Sequence, residues 1–297
     1  MRLLSLQTRH TIGGPSHQMY LLFIAGLGCF LGLLVGRHLL RRGITWNMDL
    51  SRYRKQIYLC LVLFASIGII LALIGQFRLI HWLPFWLLLF IGESSIFVLF
   101  FGWLVVGILA KLSLANQPRG LILVGLLSMV LSWQMHWHWP ITHLVQTPSA
   151  TREQVVLQST PYSCGAASVA TLARLYGRMP EIGEREVISL TATSRRGTTT
   201  FREWWALFYL GLRPQYRVRL TLDDLIKANR PALLHVYEPV GQGETILHAV
   251  VLLAIEPQKQ KVIIGNPLYG RQEKSFAEME TYWTKEAIFI TPKSAHF

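Results

Sequence analysis

Up to Trp137 the chain runs in long apolar stretches separated by short basic loops; after Pro140 the apolar residues come in short, periodic groups. Four stretches, Met19–Gly36, Gln56–Gly75, Leu83–Ala110 and Gly120–Trp137, are compatible with crossing a hydrocarbon core about 30 Å thick, which takes roughly 20 apolar residues. Hydrocarbon offers the backbone no hydrogen-bond partners, so each stretch is predicted to be a helix. The third is overlong and is expected to tilt, kink or project beyond the lipid. Residues 1–147 are therefore read as a transmembrane region of about four helices (19–36, 56–75, 83–110, 120–137), and residues 148–297 as a separate domain.

That second half reads as a compact α+β domain. Val155-Val156-Leu157 predicts a first strand ending at Gln158, and Ser159-Thr160-Pro161-Tyr162 a turn. A helix is predicted from Ala166 to Tyr176, with Val169, Leu172, Ala173 and Tyr176 on one face and Gly177 as its stop. Ser163 is the expected N-cap, which places Cys164 in the first turn. A second helix is predicted near Thr200–Leu210, ending at Gly211, followed by strands at Ala232–Tyr237, Leu247–Ile255, Lys261–Ile264 and Ala287–Ile290.

Charge adds an orientation. The net charge is +13, and before residue 148 eleven Lys and Arg face only two acids, Asp49 and Glu93. This excess lies between apolar runs instead of on a polar surface, which argues for membrane topology and against nucleic acid as a partner. Arg37, Arg41, Arg42, Arg52, Arg54 and Lys55 lie between the first two spans, and Lys111 and Arg119 between the last two. The opposite face has only Arg2, Arg9 and Arg78. Positive loops stay inside, so the N-terminus and the C-terminal domain are both expected outside the bilayer. Trp82, Trp86, Trp133, Trp137 and Trp139 would form the outer aromatic belt. Gly28, Gly32 and Gly36, four residues apart, are read as sites of close helix packing within the bundle. Glu93, inside the third run, is read as a neutral packing residue, and His136 and His138 as interfacial anchors. No metal or cofactor is expected.

Of three cysteines, Cys29 and Cys60 lie in apolar runs, leaving Cys164 alone in the polar half. At a helix N-terminus it meets the positive end of the dipole and unpaired N–H groups, which favour the nucleophilic thiolate. A thiol nucleophile needs a base, and His248 opens the most apolar strand, His248-Ala249-Val250-Val251-Leu252-Leu253. The imidazole needs an orienting group, and Asn266 follows the next strand, just before Pro267. Acyl transfer also needs donors for the oxyanion, and Gln158 lies a short turn before Cys164. A histidine on a strand, an Asn-Pro turn or a surface glutamine is ordinarily structural; the ordered set is not.

The ordered set resembles the C39 peptidase family over about residues 150–295. Gln158-Ser159-Thr160-Pro161-Tyr162-Ser163-Cys164-Gly165-Ala166-Ala167 is similar to its nucleophile motif, and His248-Ala249-Val250-Val251-Leu252 to its histidine strand. Gly265-Asn266-Pro267-Leu268-Tyr269-Gly270 is similar to its Asp-Pro turn. The resemblance implies a papain-like fold, Cys164 as nucleophile, Gln158 as oxyanion donor, and Asn266 in the third triad position, where Asp is commoner and is expected to be tolerated. Its best-known members precede an ABC transporter and remove double-glycine leaders. Here the domain follows the spans, and no phosphate-cradling Gly-Lys-Ser/Thr loop is present. Gly13-Gly14 is followed by Pro15, with Thr8 and Thr11 where leaders are apolar. The resulting expectation is a multi-pass protein of the bacterial inner (plasma) membrane whose peptidase domain lies outside. It would act on a peptide or protein substrate, alone or beside a separate exporter or membrane complex. Two other functions fit the same residues: a silent peptide-docking module, and an amidase or acyltransferase acting on a cell-envelope substrate.

Overall fold

The computed structural model describes residues 17–42, 100–105, 118–145, 147–241 and 243–291. The chain divides into two compact units, one of Met19–Trp137 and one containing His138–Phe297.

In the first unit, helix α1 (His17–Arg41) takes in the first expected span, and α2 (Pro118–His138), with Pro at its first position, takes in the fourth. Residues 100–105, within the third expected span, are helical, and the second lies outside the described residues, as do Glu93, Trp82 and Trp86. Among the described residues one helix, at Leu22–Arg41, is long and apolar enough to cross a membrane, so the expected four spans are not matched by four such helices. Ile24 and Ala25 are buried beside Phe100 and Met135. A Cβ on Gly32 would lie 2.7 Å from the Phe101 carbonyl oxygen, so this glycine does serve packing within the unit. Trp103 Nε1 donates to Ser128 Oγ at 2.9 Å.

The second unit is built on a six-stranded antiparallel sheet. Its strands are β3 (Pro214–Val218), β4 (Ala232–Gly241), β5 (Glu244–Glu256), β6 (Lys261–Asn266), β7 (Gly270–Ser275) and β8 (Trp283–Ile290), in the order β3-β8-β4-β5-β6-β7. A short hairpin, β1 (Thr151–Arg152) and β2 (Val155–Val156), stands apart. The helices are α3 (Cys164–Leu175), α4 (Glu184–Thr191), α5 (Thr200–Tyr209), α6 (Leu222–Ala228) and α7 (Phe276–Tyr282).

The central strands carry apolar residues on both faces because both faces of the sheet are covered. Leu233, Ala249, Val251 and Ile288 pack with Val169, Leu172 and Ala206 of α3 and α5 on one face. Ala232, Leu234, Val250, Leu252 and Ala287 pack with Leu225 and Met279 of α6 and α7 on the other. Full burial of one such Leu or Val side chain contributes about 1.5–3 kcal/mol, so this double core is what fixes strand register. The register sets His248 opposite Val236 and Ala249 opposite His235, and joins β6 to β5 from Val251 onward. Asn266 closes β6 at the hairpin into β7, paired with Gly270, whose φ of +88° is the left-handed conformation that favours glycine.

Candidate active site

The segment leading to Cys164 is held from both sides. Gln158 N–H donates to the Pro267 carbonyl at 2.9 Å, tying it to the loop after Asn266. Ser159 donates its N–H and hydroxyl to the fully buried Glu184 of α4, at 2.9 and 2.7 Å. The helix begins at Cys164, two residues before the predicted start, and Ser163 occupies the cap position without capping. Its hydroxyl is turned instead to Thr160, 2.7 Å from Oγ1 and 3.1 Å from the carbonyl oxygen.

Cys164 is a half-buried free thiol, and the backbone N–H of Ala249, the residue after His248, is among the groups that favour its thiolate. One helical turn on, Ser168 Oγ donates to the Ala249 carbonyl at 2.9 Å. β6 joins β5 only from Val251, so the Ala249 carbonyl is open to Ser168 of α3. This bond ties the nucleophile's helix to the histidine's strand. Opposing influences act on the thiol. Burial pushes its pKa up to about 11 and Glu203 adds to the rise, outweighing the Ala249, Gly165 and Cys164 N–H groups that pull it down.

His248 is 2 % exposed, and its Nε2 lies 3.0 Å from Asn266 Oδ1. The amide orientation follows from its other side: Asn266 Nδ2 donates to Glu238 Oε2 at 2.9 Å and to Gln272 Oε1 at 3.2 Å. A carboxylate only accepts, so it takes the NH2 end and leaves Oδ1 to His248 and to the Leu268 N–H. His248 therefore carries its proton on Nε2, which leaves Nδ1 as the basic nitrogen. Burial lowers the imidazole pKa below 6.5; the Asn266 bond and the Glu238 charge oppose this, and the His235 charge adds to it. Tyr282 OH donates to the same Glu238 oxygen at 2.5 Å.

The fourth predicted residue, Gln158, is half-buried beside the same turn. Its Nε2 donates to the Thr160 carbonyl at 2.8 Å, while Oε1 is buried without a hydrogen-bond partner. The amide carries a second N–H for an incoming oxygen. His138 is not an interfacial anchor: it is 4 % exposed in the second unit, with Nε2 3.0 Å from Arg196 Nη1. His136 is exposed, and no group of metal-binding side chains occurs among the described residues.

A charged cluster beside the nucleophile escapes sequence reasoning. His235 of β4 lies between Glu203 of α5 (Nε2 to Oε2, 2.8 Å) and Glu286 of β8 (Nδ1 to Oε1, 3.0 Å). The second contact is an ion pair out of line for a hydrogen bond, since Nδ1 has no acceptor on its N–H axis. Burial would lower the His235 pKa, but Glu203 and then Glu286 overcome it and push it up to about 10. Tyr216 OH donates to Glu286 Oε2 at 2.5 Å. A methyl group on Gly165 would collide with Glu203 Oε1 and with Thr198, so only glycine fits after Cys164. The available signal was a charge set among apolar neighbours: Glu203 beside Trp204 and Trp205, and His235 between Leu234 and Val236.

A helix-borne thiol set against a strand-borne histidine on an antiparallel sheet defines a thiol-protease-like α+β fold. Residues 152–295 match the peptidase C39 family, and the chain belongs to that family through this domain. Its relatives include an uncharacterized protein of Methanothermobacter thermautotrophicus, 32% identical over 127 residues, covering 43% of this chain and 80% of that one. Another, from Methanothermobacter marburgensis, is 31% identical over 119 residues, covering 40% and 75%. Similar solved structures include the peptidase domain of Streptococcus ComA, a bi-functional ABC transporter involved in a quorum-sensing pathway. It is 26% identical with a TM-score of 0.40, covering 46% of this chain and 97% of that one. A double glycine motif protease from an AMS/PCAT transporter, in complex with the leader peptide, is 21% identical with a TM-score of 0.41, covering 50% and 98%.

Proposed function

We propose that this protein is a membrane-anchored cysteine peptidase that cleaves peptide bonds of exported or envelope polypeptides. The observation that carries this reading is the bond from His248 Nε2–H to Asn266 Oδ1, which leaves Nδ1 as a base on the strand to which Ser168 ties the nucleophile's helix. With the thiol pKa raised and the imidazole pKa lowered, both groups are neutral at rest. His248 then acts as general base: Nδ1 takes the thiol proton as sulfur attacks the scissile carbonyl. The Cys164 N–H and the Gln158 amide bind the oxyanion. The imidazolium returns its proton to the leaving amine, and water hydrolyses the thioester. No cofactor takes part.

The apolar helix at Leu22–Arg41 supports anchoring, and the basic loops support a multi-pass arrangement with the domain outside. In an oxidising compartment a domain with one thiol has no partner for an intramolecular disulfide. A separate exporter remains a partner of this reading, because the chain has no nucleotide-binding motif of its own.

The test compares membrane and secreted peptides, resolved by mass, from cells carrying the intact chain and cells carrying Cys164→Ala. New termini on exported or envelope proteins should disappear with Cys164. Cys164-dependent termini on cytosolic leader peptides would place the domain inside and restore leader processing. Identical peptide sets would leave the silent docking module as the function, and acylated products without new termini would make the protein an acyltransferase.

A further inference from the structure

The buried Glu203–His235–Glu286 cluster takes no part in the mechanism above, yet it abuts the nucleophile. Two carboxylates flank a single imidazolium, so the cluster holds one negative charge in excess. Its members are 1 %, 5 % and 7 % exposed, where water screens little of that charge. The two carboxylates are not equivalent. Glu203 Oε1 packs against Gly165 in the first turn of α3, whereas Glu286 lies on the far side of His235, held by Tyr216. Of the two, Glu203 is the one that packs against the nucleophile's helix, and its charge raises the Cys164 thiol pKa.

We propose that Glu203 is a positioning residue that keeps the Cys164 thiol protonated in the resting enzyme, with His235 and Glu286 fixing its carboxylate against the nucleophile's helix. A carboxylate at this end of α3 offsets the positive end of the helix dipole, which would otherwise stabilise thiolate. A neutral thiol reacts slowly with oxidants and disulfides. Sulfur becomes nucleophilic when His248 accepts its proton during attack, so reactivity is confined to the bound substrate. The groups around the pair include Tyr216 of β3, His248 of β5, Glu286 of β8 and Cys164 of α3, and the neighbouring Arg202 donates to the Ala192 carbonyl at 3.0 Å.

The test is the pH dependence of iodoacetamide alkylation of the purified full chain, read by mass on the Cys164 peptide so that Cys29 and Cys60 do not contribute. In the wild type the midpoint should lie above about 8.5, the ordinary thiol value. Glu203→Gln should lower it by about one unit, giving roughly tenfold faster alkylation below the midpoint. Glu203→Asp, which keeps the charge, should alkylate within about threefold of wild type. Glu286→Gln removes a carboxylate from the same histidine and should move the midpoint by less than about 0.3 unit. A packing role would disturb the shortened Asp side chain at least as much as Gln and would not separate Glu203 from Glu286. Equal shifts at the two glutamates, or none at Glu203, would overturn the proposal. A wild-type midpoint below about 8 would overturn it as well, whether or not any variant folds. The inference rests on Cys164 being the reactive thiol. Alkylation requires no substrate turnover, so failure here leaves peptide cleavage to be judged separately.

Discussion

Cys164→Ala is expected to lower peptide turnover by on the order of 10⁴–10⁶-fold while leaving the domain folded. The size follows from what the sulfur does: without it there is no thioester, and only binding and oxyanion donors remain. The fold should tolerate the change because the structural bonds at this point are made by the backbone. Ser168 Oγ still ties α3 to the Ala249 carbonyl, and Glu184 still holds Ser159. No hydrogen bond that holds α3 in place is made by the Cys164 side chain among the described residues. A melting temperature within a few degrees of wild type, with turnover gone, is the expected pair of results. Near-normal turnover would remove Cys164 from the chemistry.

His248→Ala should be nearly as damaging, because nucleophile and base act as a unit. The more informative changes lie behind the imidazole. Sequence comparison alone predicts that Asn266→Asp is tolerated. The structure reverses that expectation, because the Asn266 amide nitrogen lies 2.9 Å from Glu238 Oε2, where a second carboxylate would meet like charge. The pair can share one proton in acid, so Asn266→Asp should work below neutrality and lose about tenfold in kcat above it. Asn266→Asp combined with Glu238→Gln should recover the loss, since the new amide donates where the old one did. In the wild type the base is active when neutral. Burial depresses its pKa, so kcat should hold down to below pH 6.5 and fall only as His248 protonates. Glu238→Gln removes a charge that raises that pKa and should move the acid limb further down. A double variant no better than Asn266→Asp would detach Glu238 from the imidazole.

What the sequence disclosed follows from which forces it records. The Cys164 and Thr200 helices and the apolar strands were legible because burial on one face or both writes a period or an unbroken run. β3 and β7 were not, since edge strands such as Gly270–Ser275 carry polar side chains and exist through pairing with a neighbour. α6 and α7 are short, but Thr221 with Asp224 and Ser275 with Glu278 are capping boxes that sequence inspection could have found. The site residues Cys164, His248, Asn266 and Gln158 stood out as a motif. Their supports Glu238, Glu203 and His235 come from β4 and α5, away from the motif in the chain, and only the sheet register and the helix packing bring them in. The thiol's environment was only partly legible for the same reason: the helix dipole can be read from the sequence, whereas the burial that opposes it is a property of the fold.

The central claim is that Cys164 hydrolyses a peptide bond, and isotope transfer from water tests it most directly. Purified full-length chain is mixed, in heavy-oxygen water, with the polypeptides whose termini depend on Cys164 in cells. Hydrolysis through a thioester must place one solvent oxygen in each new carboxyl terminus, and the Cys164→Ala protein must yield no such terminus. New acyl products carrying no solvent oxygen, or labelled termini that persist without Cys164, would contradict the account.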